Sequence, residues 1–282
     1  MALYFIANTA TRILLRIFTK QTQLNPYAAS FALTMPTYIL MLVYSLHQYD
    51  SFLNGLNILI VVLLLLQATF MTYFGKISVV AQKHVDTASF MVLRQISVPV
   101  SVVASSLFIG ESLTAIQSVG MVLILIGAYV IASNGRTIPV RHIGKHEALV
   151  LIYGVFLGLS LVFSRYVQEL TSLSTLLVVG SGLETLISAG KAYTENRATA
   201  HKNIIVRKDL GLALAIGLLS AVHIVTFFSA AELIDNVSVV STLSSFRIVT
   251  IFLASYFFLK ERDSLKIKLL GSGLALIGVV LV

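Results

Sequence analysis

The chain of 282 residues has no cysteine and no tryptophan. Without cysteine there is no disulfide, no thiol nucleophile and no thiolate-bound metal. Charge is scarce too. Only 11% of residues are Asp, Glu, Lys or Arg, where a soluble domain carries about a quarter. Acids are the scarcer sign, 12 against 20 Lys and Arg, for a formal net charge of +8. No Walker-type Gly-rich loop is present, which argues against ATP-driven chemistry. Residues 1–20 lack the basic, apolar, small-residue order of a cleavable signal peptide. What fills the chain is apolar: 57% of residues are hydrophobic and the mean hydropathy is +0.92. A bilayer crossing needs roughly 20 apolar residues, and the chain holds many such runs. The expected class is an all-α, multi-pass integral membrane protein. In such a chain, Lys and Arg in short loops set orientation, so no nucleic-acid partner is expected.

The chain also repeats itself. Phe108-Ile109-Gly110-Glu111 is followed by Gly120 and the run Leu123-Ile124-Leu125-Ile126-Gly127. Phe258-Leu259-Lys260-Glu261 is followed by Gly271 and Leu274-Ala275-Leu276-Ile277-Gly278. Hydrophobic runs predict ten helices: 2–19, 27–48, 56–75, 87–108, 113–133, 147–167, 172–192, 210–233, 237–259 and 265–282. We number these spans 1 to 10. Asp86, Asp209, Asp235 and Ser264 sit just before apolar runs and are expected to cap them. Span 1 is the least apolar, yet Phe18-Thr19-Lys20 with Gln23 and Leu24 resembles Phe163-Ser164-Arg165 with Gln168 and Leu170. That pairs span 1 with span 6 at an offset of 145. The division is then residues 1–134, a polar linker 135–146, and residues 147–282. Each copy has five spans, and an odd number makes the copies insert in opposite directions. Lys20, Lys76, Lys83, Arg141, Lys145, Arg197, Lys202, Lys260 and Lys268 all fall at odd-numbered connections. By the positive-inside rule those connections are cytoplasmic and both termini are outside.

With its five-plus-five duplication, the chain resembles the drug/metabolite transporter superfamily, in the form with two EamA domains. The signature is Pro99 in span 4, then Phe108 and Glu111, Gln117, Gly120 and the run to Gly127. The second copy keeps Phe258, Glu261, Gly271 and Gly278 but has no proline in span 9. The Trp-Gly that often opens span 1 in that family is missing. The resemblance implies a gradient-driven secondary transporter in the cell membrane. Its substrate would be an amino acid, nucleotide precursor, sugar or toxic organic compound. It also implies cytoplasmic termini, opposite to the charge count.

Charged side chains inside spans face the bundle interior or water and mark function. Arg94 in span 4 and Arg247 in span 9 lie 17 and 14 residues before Glu111 and Glu261, so at related depths. Gln95 and Ser97 flank the first. Ser241, Thr242, Ser244 and Ser245 precede the second. Planar guanidinium donors suit a carboxylate or phosphate, so an anionic or zwitterionic solute is favoured. The alternative is that the arginines snorkel to an interface or pair with Glu184. Asn8, Arg12, Arg16 and Lys20 recur every four residues and form one polar helix face. That face either lines a cavity, making Arg12 a binding residue, or is the wet side of an interfacial helix. Gln67 is a polar insertion among leucines. Glu184 and His223 are candidates for proton coupling, against plain bonds across the bundle. Pro99 is expected to kink span 4 beside Arg94. Gly154 and Gly158, with Gly120, Gly127, Gly271, Gly273 and Gly278, are expected to allow close helix packing within the protomer or in a homodimer.

An enzyme would need converging nucleophiles, His pairs or acidic metal ligands. The histidines are scattered, and His142 and His146 have no acidic partner. No catalysis, cofactor or metal is therefore expected. The partners expected are the lipid bilayer and a small-molecule substrate. A channel or lipid scramblase is the alternative, although a channel favours a continuous polar stripe.

Overall fold

A computed structural model describes residues 2–47, 56–108, 114–133, 144–199, 207–234, 247–260 and 264–282. Among the described residues every regular element is helical. In order they are α1 (Ala2–Gln21), α2 (Pro26–His47), α3 (Ile58–His84), α4 (Thr87–Leu93), a 3₁₀ turn (Arg94–Ile96), α5 (Ser97–Phe108) and α6 (Ala115–Ala132). There follow α7 (Lys145–Leu170), α8 (Leu173–Thr175), a π turn (Leu176–Gly180), α9 (Ser181–Thr199), α10 (Arg207–Ile234), α11 (Arg247–Phe258) and α12 (Leu265–Leu281).

Six stretches of the described residues are long and apolar enough to cross a membrane: Pro26–Leu46, Ile58–His84, Thr87–Leu107, Ala115–Ala132, Lys145–Ser164 and Asp209–Phe227. Their outer faces carry Leu65, Leu66, Phe70, Val122 and Leu218, all exposed. So much outward apolar surface needs a lipid solvent. The chain is a multi-pass membrane protein. Among the remaining helices, α1 carries Arg12 and Arg16, the described part of α11 is 12 residues long, and α12 is 17.

The polar face of α1 points inward. Asn8, Thr11 and Arg16 are buried, while Leu3 and Ile6 are exposed. A helix lying on the membrane surface would show the reverse. α1 packs on α10 and α11, α3 on α7, α2 on α9 and α10, and α5 on α7. The closest pair is α6 with α12. A Cβ added to Gly120 would lie 2.5 Å from the Gly278 carbonyl oxygen, and one on Gly278 2.5 Å from that of Gly120. At the other end of the crossing, a Cβ on Gly127 would lie 2.6 Å from the Gly271 oxygen. These four glycines let the two backbones touch, and that contact is inside the protomer.

Span 4 is broken where its proline predicts. Pro99 has no N–H for the carbonyl of Gln95, and its ring crowds that turn. The helix tightens to 3₁₀ over Arg94–Ile96. The break is received by the paired glycines of α7. A Cβ on Gly158 would meet the Ser97 carbonyl oxygen at 2.5 Å, and one on Gly154 the Arg94 oxygen at 3.0 Å.

Two expected caps are corrected. Asp86 does cap α4, accepting the Ser89 N–H at 3.0 Å. Asp209 instead lies within the first turn of α10, because Arg207 and Lys208 extend that helix, and its Oδ2 accepts a long 3.4 Å bond from Thr22. Ser264 takes a left-handed backbone (φ 53°) that turns its side chain off the helix end, so it makes no side-chain cap. Asp235 lies outside the described residues.

The described helix ends beside the odd-numbered connections are fastened to one another by polar contacts. Lys268 pairs with Asp86 at 3.2 Å, Lys76 with Glu195 at 3.1 Å, and Asn25 donates to Asn196 at 2.6 Å. Arg16 donates to the Gln82 carbonyl. His84 and His146 stack with centroids 3.9 Å apart.

Two variants test this packing by thermal unfolding in detergent. Gly127→Val should cost about 1–3 kcal/mol or more by overpacking, whereas Gly273→Ala, with nothing within 4 Å of its Cβ, should be neutral or stabilising. Asp86→Asn keeps a cap acceptor but strands the Lys268 ammonium, whose side chain is 8% exposed. The loss should be about 2 kcal/mol, less than for a fully buried pair, and Lys268→Met added to Asp86→Asn should recover most of it.

Candidate functional site

Arg12 of α1, Arg94 of the 3₁₀ turn and Arg247 of α11 converge. Each lies within electrostatic reach of the other two. Tyr4 and Tyr153 share the site, and His223 of α10 lies within electrostatic reach of all three arginines. Arg94 is 9% exposed, and its guanidinium lies 5.8 Å from the centre of the Tyr153 ring. Arg247 Nη1 donates to the Tyr4 hydroxyl at 2.6 Å. The Tyr4 ring meets His223 edge to face at 6.1 Å. Below them a Thr9–Thr250 hydroxyl bond of 2.9 Å fastens α1 to α11.

Local sequence explains the convergence. Tyr4, Asn8 and Arg12 recur every four residues and so share one face of α1. Pro99 and the two α7 glycines bring Arg94 against Tyr153. Arg247 opens α11.

The site is rich in donors and poor in acids. Arg12 Nε, Arg94 Nε and Nη1, Gln95 Nε2 and Arg247 Nε are buried without a hydrogen-bond partner among the described residues. Asn8 Oδ1 is a buried acceptor in the same condition. Among the described residues no carboxylate reaches the arginines. Asp86 and Glu195 are held by lysines, and Glu147 lines a separate polar pocket with Asp86 and Lys268. Glu184 forms no ion pair with the arginines. It sits on α9 beyond the π turn, where its backbone carbonyl accepts from Thr72 at 3.3 Å. The Arg–Glu184 pairing considered as an alternative is therefore not formed. Unpaired guanidiniums beside aromatic walls make a site for carboxylate or phosphate oxygens.

The other candidate residues divide. Gln95 is buried next to Arg94. His223 bonds within its own helix, Nδ1 to the Leu219 carbonyl oxygen at 3.2 Å. A carbonyl only accepts, so this places the proton on Nδ1 and frees Nε2. Gln67 lies apart, donating to Ser164 Oγ at 2.5 Å. It borders an apolar cavity of about 550 Å³ between α3, α5 and α7, walled by Phe70, Phe74, Phe156 and Phe163. Glu184 is likewise remote from the cluster. Ser244 lies outside the described residues, as do Ser241, Thr242, Ser245, Glu111, Glu261 and His142. Among the described residues no three His, Asp or Glu side chains group as metal ligands.

Tyr4 and Tyr153 were not singled out from the sequence. For Tyr4 the signal was the four-residue period it shares with Asn8 and Arg12. Tyr153 stands next to Gly154, and nothing local distinguishes it.

No curated protein matches the chain. Residues 145–282, which carry Tyr153, His223 and Arg247, match the model of the EamA-like transporter family, of the drug/metabolite transporter superfamily.

Proposed function

We propose that the protein is a secondary transporter that moves a small anionic metabolite across the cell membrane by alternating access. Arg12, Arg94 and Arg247 are its binding residues. The observation that carries this reading is the convergence of three guanidiniums, from three helices, on a site without a described carboxylate. Counted at about 1.5 Å per residue, they lie roughly 10–17 Å along their helices from the charged end of the bundle. That is near the middle of a hydrocarbon layer about 30 Å thick, where a carrier site must lie to be reached from each side.

The helix pairings support two inverted five-helix halves, residues 1–134 and 147–282. Exchanging the halves turns the α1–α10 contact into the α7–α3 contact, and maps α6–α12 and α2–α9 onto themselves. The glycine contacts obey the same exchange: Gly120 with Gly278 becomes Gly271 with Gly127. This supports ten spans, of which α1 and the α8–α9 segment are the less apolar and the described parts of α11 and α12 the shorter. The polar contacts at the charged end fit a closed gate on that side. Positive charge there argues for a cytoplasmic gate. Transport of this kind draws on a gradient, and His223, inside the cluster, is the proposed proton carrier.

A second reading, lipid movement, rests on the apolar cavity beside Gln67, whose lining residues Leu66, Phe70 and Leu159 are exposed on the lipid-facing side.

Purified protein in liposomes separates the two. Anion uptake should fall about 10- to 100-fold in Arg94→Gln and in Arg247→Gln, the loss of one charged hydrogen-bond partner. Arg94→Lys should not restore it, because a lysine lacks the planar donors. Unchanged uptake in both glutamine variants would remove the arginines from the site, and lipid movement without anion uptake would favour the second reading.

A further inference from the structure

We infer that the site takes a small dianion, a phosphate monoester or a dicarboxylate, and crosses the membrane only when loaded, so that the protein works as an anion-for-anion exchanger. The inference rests on the transport reading above.

The charge count at the site carries it. Arg12, Arg94 and Arg247 lie within reach of one another, and the described residues bring no carboxylate to them. Their remaining polar neighbours bring no negative charge: Tyr4, Tyr153, Asn8 and Gln95 are neutral side-chain types, and His223, which donates its Nδ1–H to a backbone carbonyl, can add only positive charge. A zwitterionic amino acid fits such a site poorly. Its carboxylate would find guanidiniums, but its ammonium would add a fourth cation, and the described residues offer it neutral acceptors, Asn8 Oδ1 and His223 Nε2, but no carboxylate. A monoanion leaves two guanidiniums facing each other unscreened. A dianion offers separate charged oxygens to Arg12 and Arg94, both of which hold buried donors without a partner. Arg247 already donates to Tyr4. An ester or hydroxy group on the ligand would meet the orphan acceptor of Asn8.

The same count limits the return stroke. Alternating access passes through a state sealed from both sides. In that state the site loses water, the effective dielectric falls, and like charges repel far more strongly than in solution. The three guanidiniums then have no solvent and no described carboxylate as counter-ion. With a dianion bound, most of that charge is neutralised. Loaded reorientation is therefore fast in both directions and empty reorientation is slow. Net uptake into vesicles holding no exchangeable anion should be slow for the same reason.

The test uses the full chain in liposomes, with the membrane potential clamped by potassium and valinomycin. Radiolabelled inorganic phosphate and radiolabelled succinate are the probes. Vesicles are preloaded either with the same unlabelled anion or with gluconate. Uptake should be faster by about tenfold or more with the matching anion inside, given the size of an unpaired buried charge. Phosphate exchange without succinate assigns the phosphate class and the reverse assigns the dicarboxylate class. Radiolabelled serine should not exchange. Equal uptake into both kinds of vesicle, or serine exchange as fast as either anion, would overturn the inference while leaving a transporter in place. If none of the three probes moved in any arm, the transport reading beneath it would fail as well.

Arg12→Gln supplies a charge-specific readout. Removing one cation lowers the penalty of the empty state, so the ratio of preloaded to gluconate uptake should fall even if exchange slows. Arg12→Lys keeps the charge and should keep the ratio. A purely structural role would slow both uptakes in proportion and leave the ratio unchanged in Arg12→Gln, which would sink the proposal.

Discussion

Three guanidiniums gathered inside a membrane bundle, without a described counter-charge, are the constraint on which the rest of this architecture depends. An arginine at the centre of a spanning helix costs about 2.5–3.5 kcal/mol to insert. Placing three together adds their mutual repulsion. A fold that existed only to span the bilayer would select against such a cluster. The surrounding helices therefore have to hold it against that cost, and they do so with apolar packing and backbone contact. Tyr153 lies beside Arg94, Tyr4 accepts from Arg247, and the Thr9–Thr250 bond closes the seam below.

Glycine supplies most of the compensating order. In lipid there is no hydrophobic driving force between helices, so close van der Waals packing must hold them. The α6–α12 crossing achieves this with carbonyl oxygens against glycine Cα atoms. Gly154 and Gly158 do the same for the broken span 4. A proline break in lipid is tolerated only where a neighbour covers the freed backbone, and α7 is that neighbour. The position of Arg94 thus follows from three small-scale facts: Pro99 loosens the turn, the turn tightens to 3₁₀, and two glycines let it dock. Pro36 of α2 repeats the device on a smaller scale. Its ring packs where Gly217 of α10 has no side chain, and Thr37 donates to the Gly217 carbonyl at 3.1 Å.

Much of this was legible in the sequence because it is local. Apolar runs marked the helices, Pro99 marked the break, and the four-residue period of Asn8, Arg12 and Arg16 marked a polar face. The direction of that face was not legible, since a periodic stripe reads the same whether it meets water or a cavity. It took the burial of Asn8 and the exposure of Leu3 to decide. Pairings between distant helices were equally out of reach. Glu184 looked like a partner for the arginines because it is the one carboxylate deep in a span, yet α9 carries it elsewhere. Tyr153 became part of the site only through the docking of α7. Asp209 and Ser264 read as caps because residue type favours that role, but the first was overtaken by a longer helix and the second by a left-handed backbone.

The proposed duplication also explains why the site is lopsided. At the offset that relates span 1 to span 6, Asn8 corresponds to Tyr153, and both belong to the cluster. At the offset of the later spans, Arg94 corresponds to Ser244 and Arg247 to Ser97. Each half therefore contributes one arginine from its fourth span, but from positions about one helical turn apart. Arg12 corresponds to Leu157 and has no charged counterpart at all. An inverted repeat gives two nearly equivalent frames, which is what two alternating states require. The charges break that equivalence. Arg12 and Arg94 come from the first half and Arg247 from the second, so on the proposed reading a bound anion would be held by two cations on one frame and one on the other. Under the proposed alternating access, the substrate would stay with the first half, while the second half, through Arg247 and its Tyr4 contact, would open and close over it.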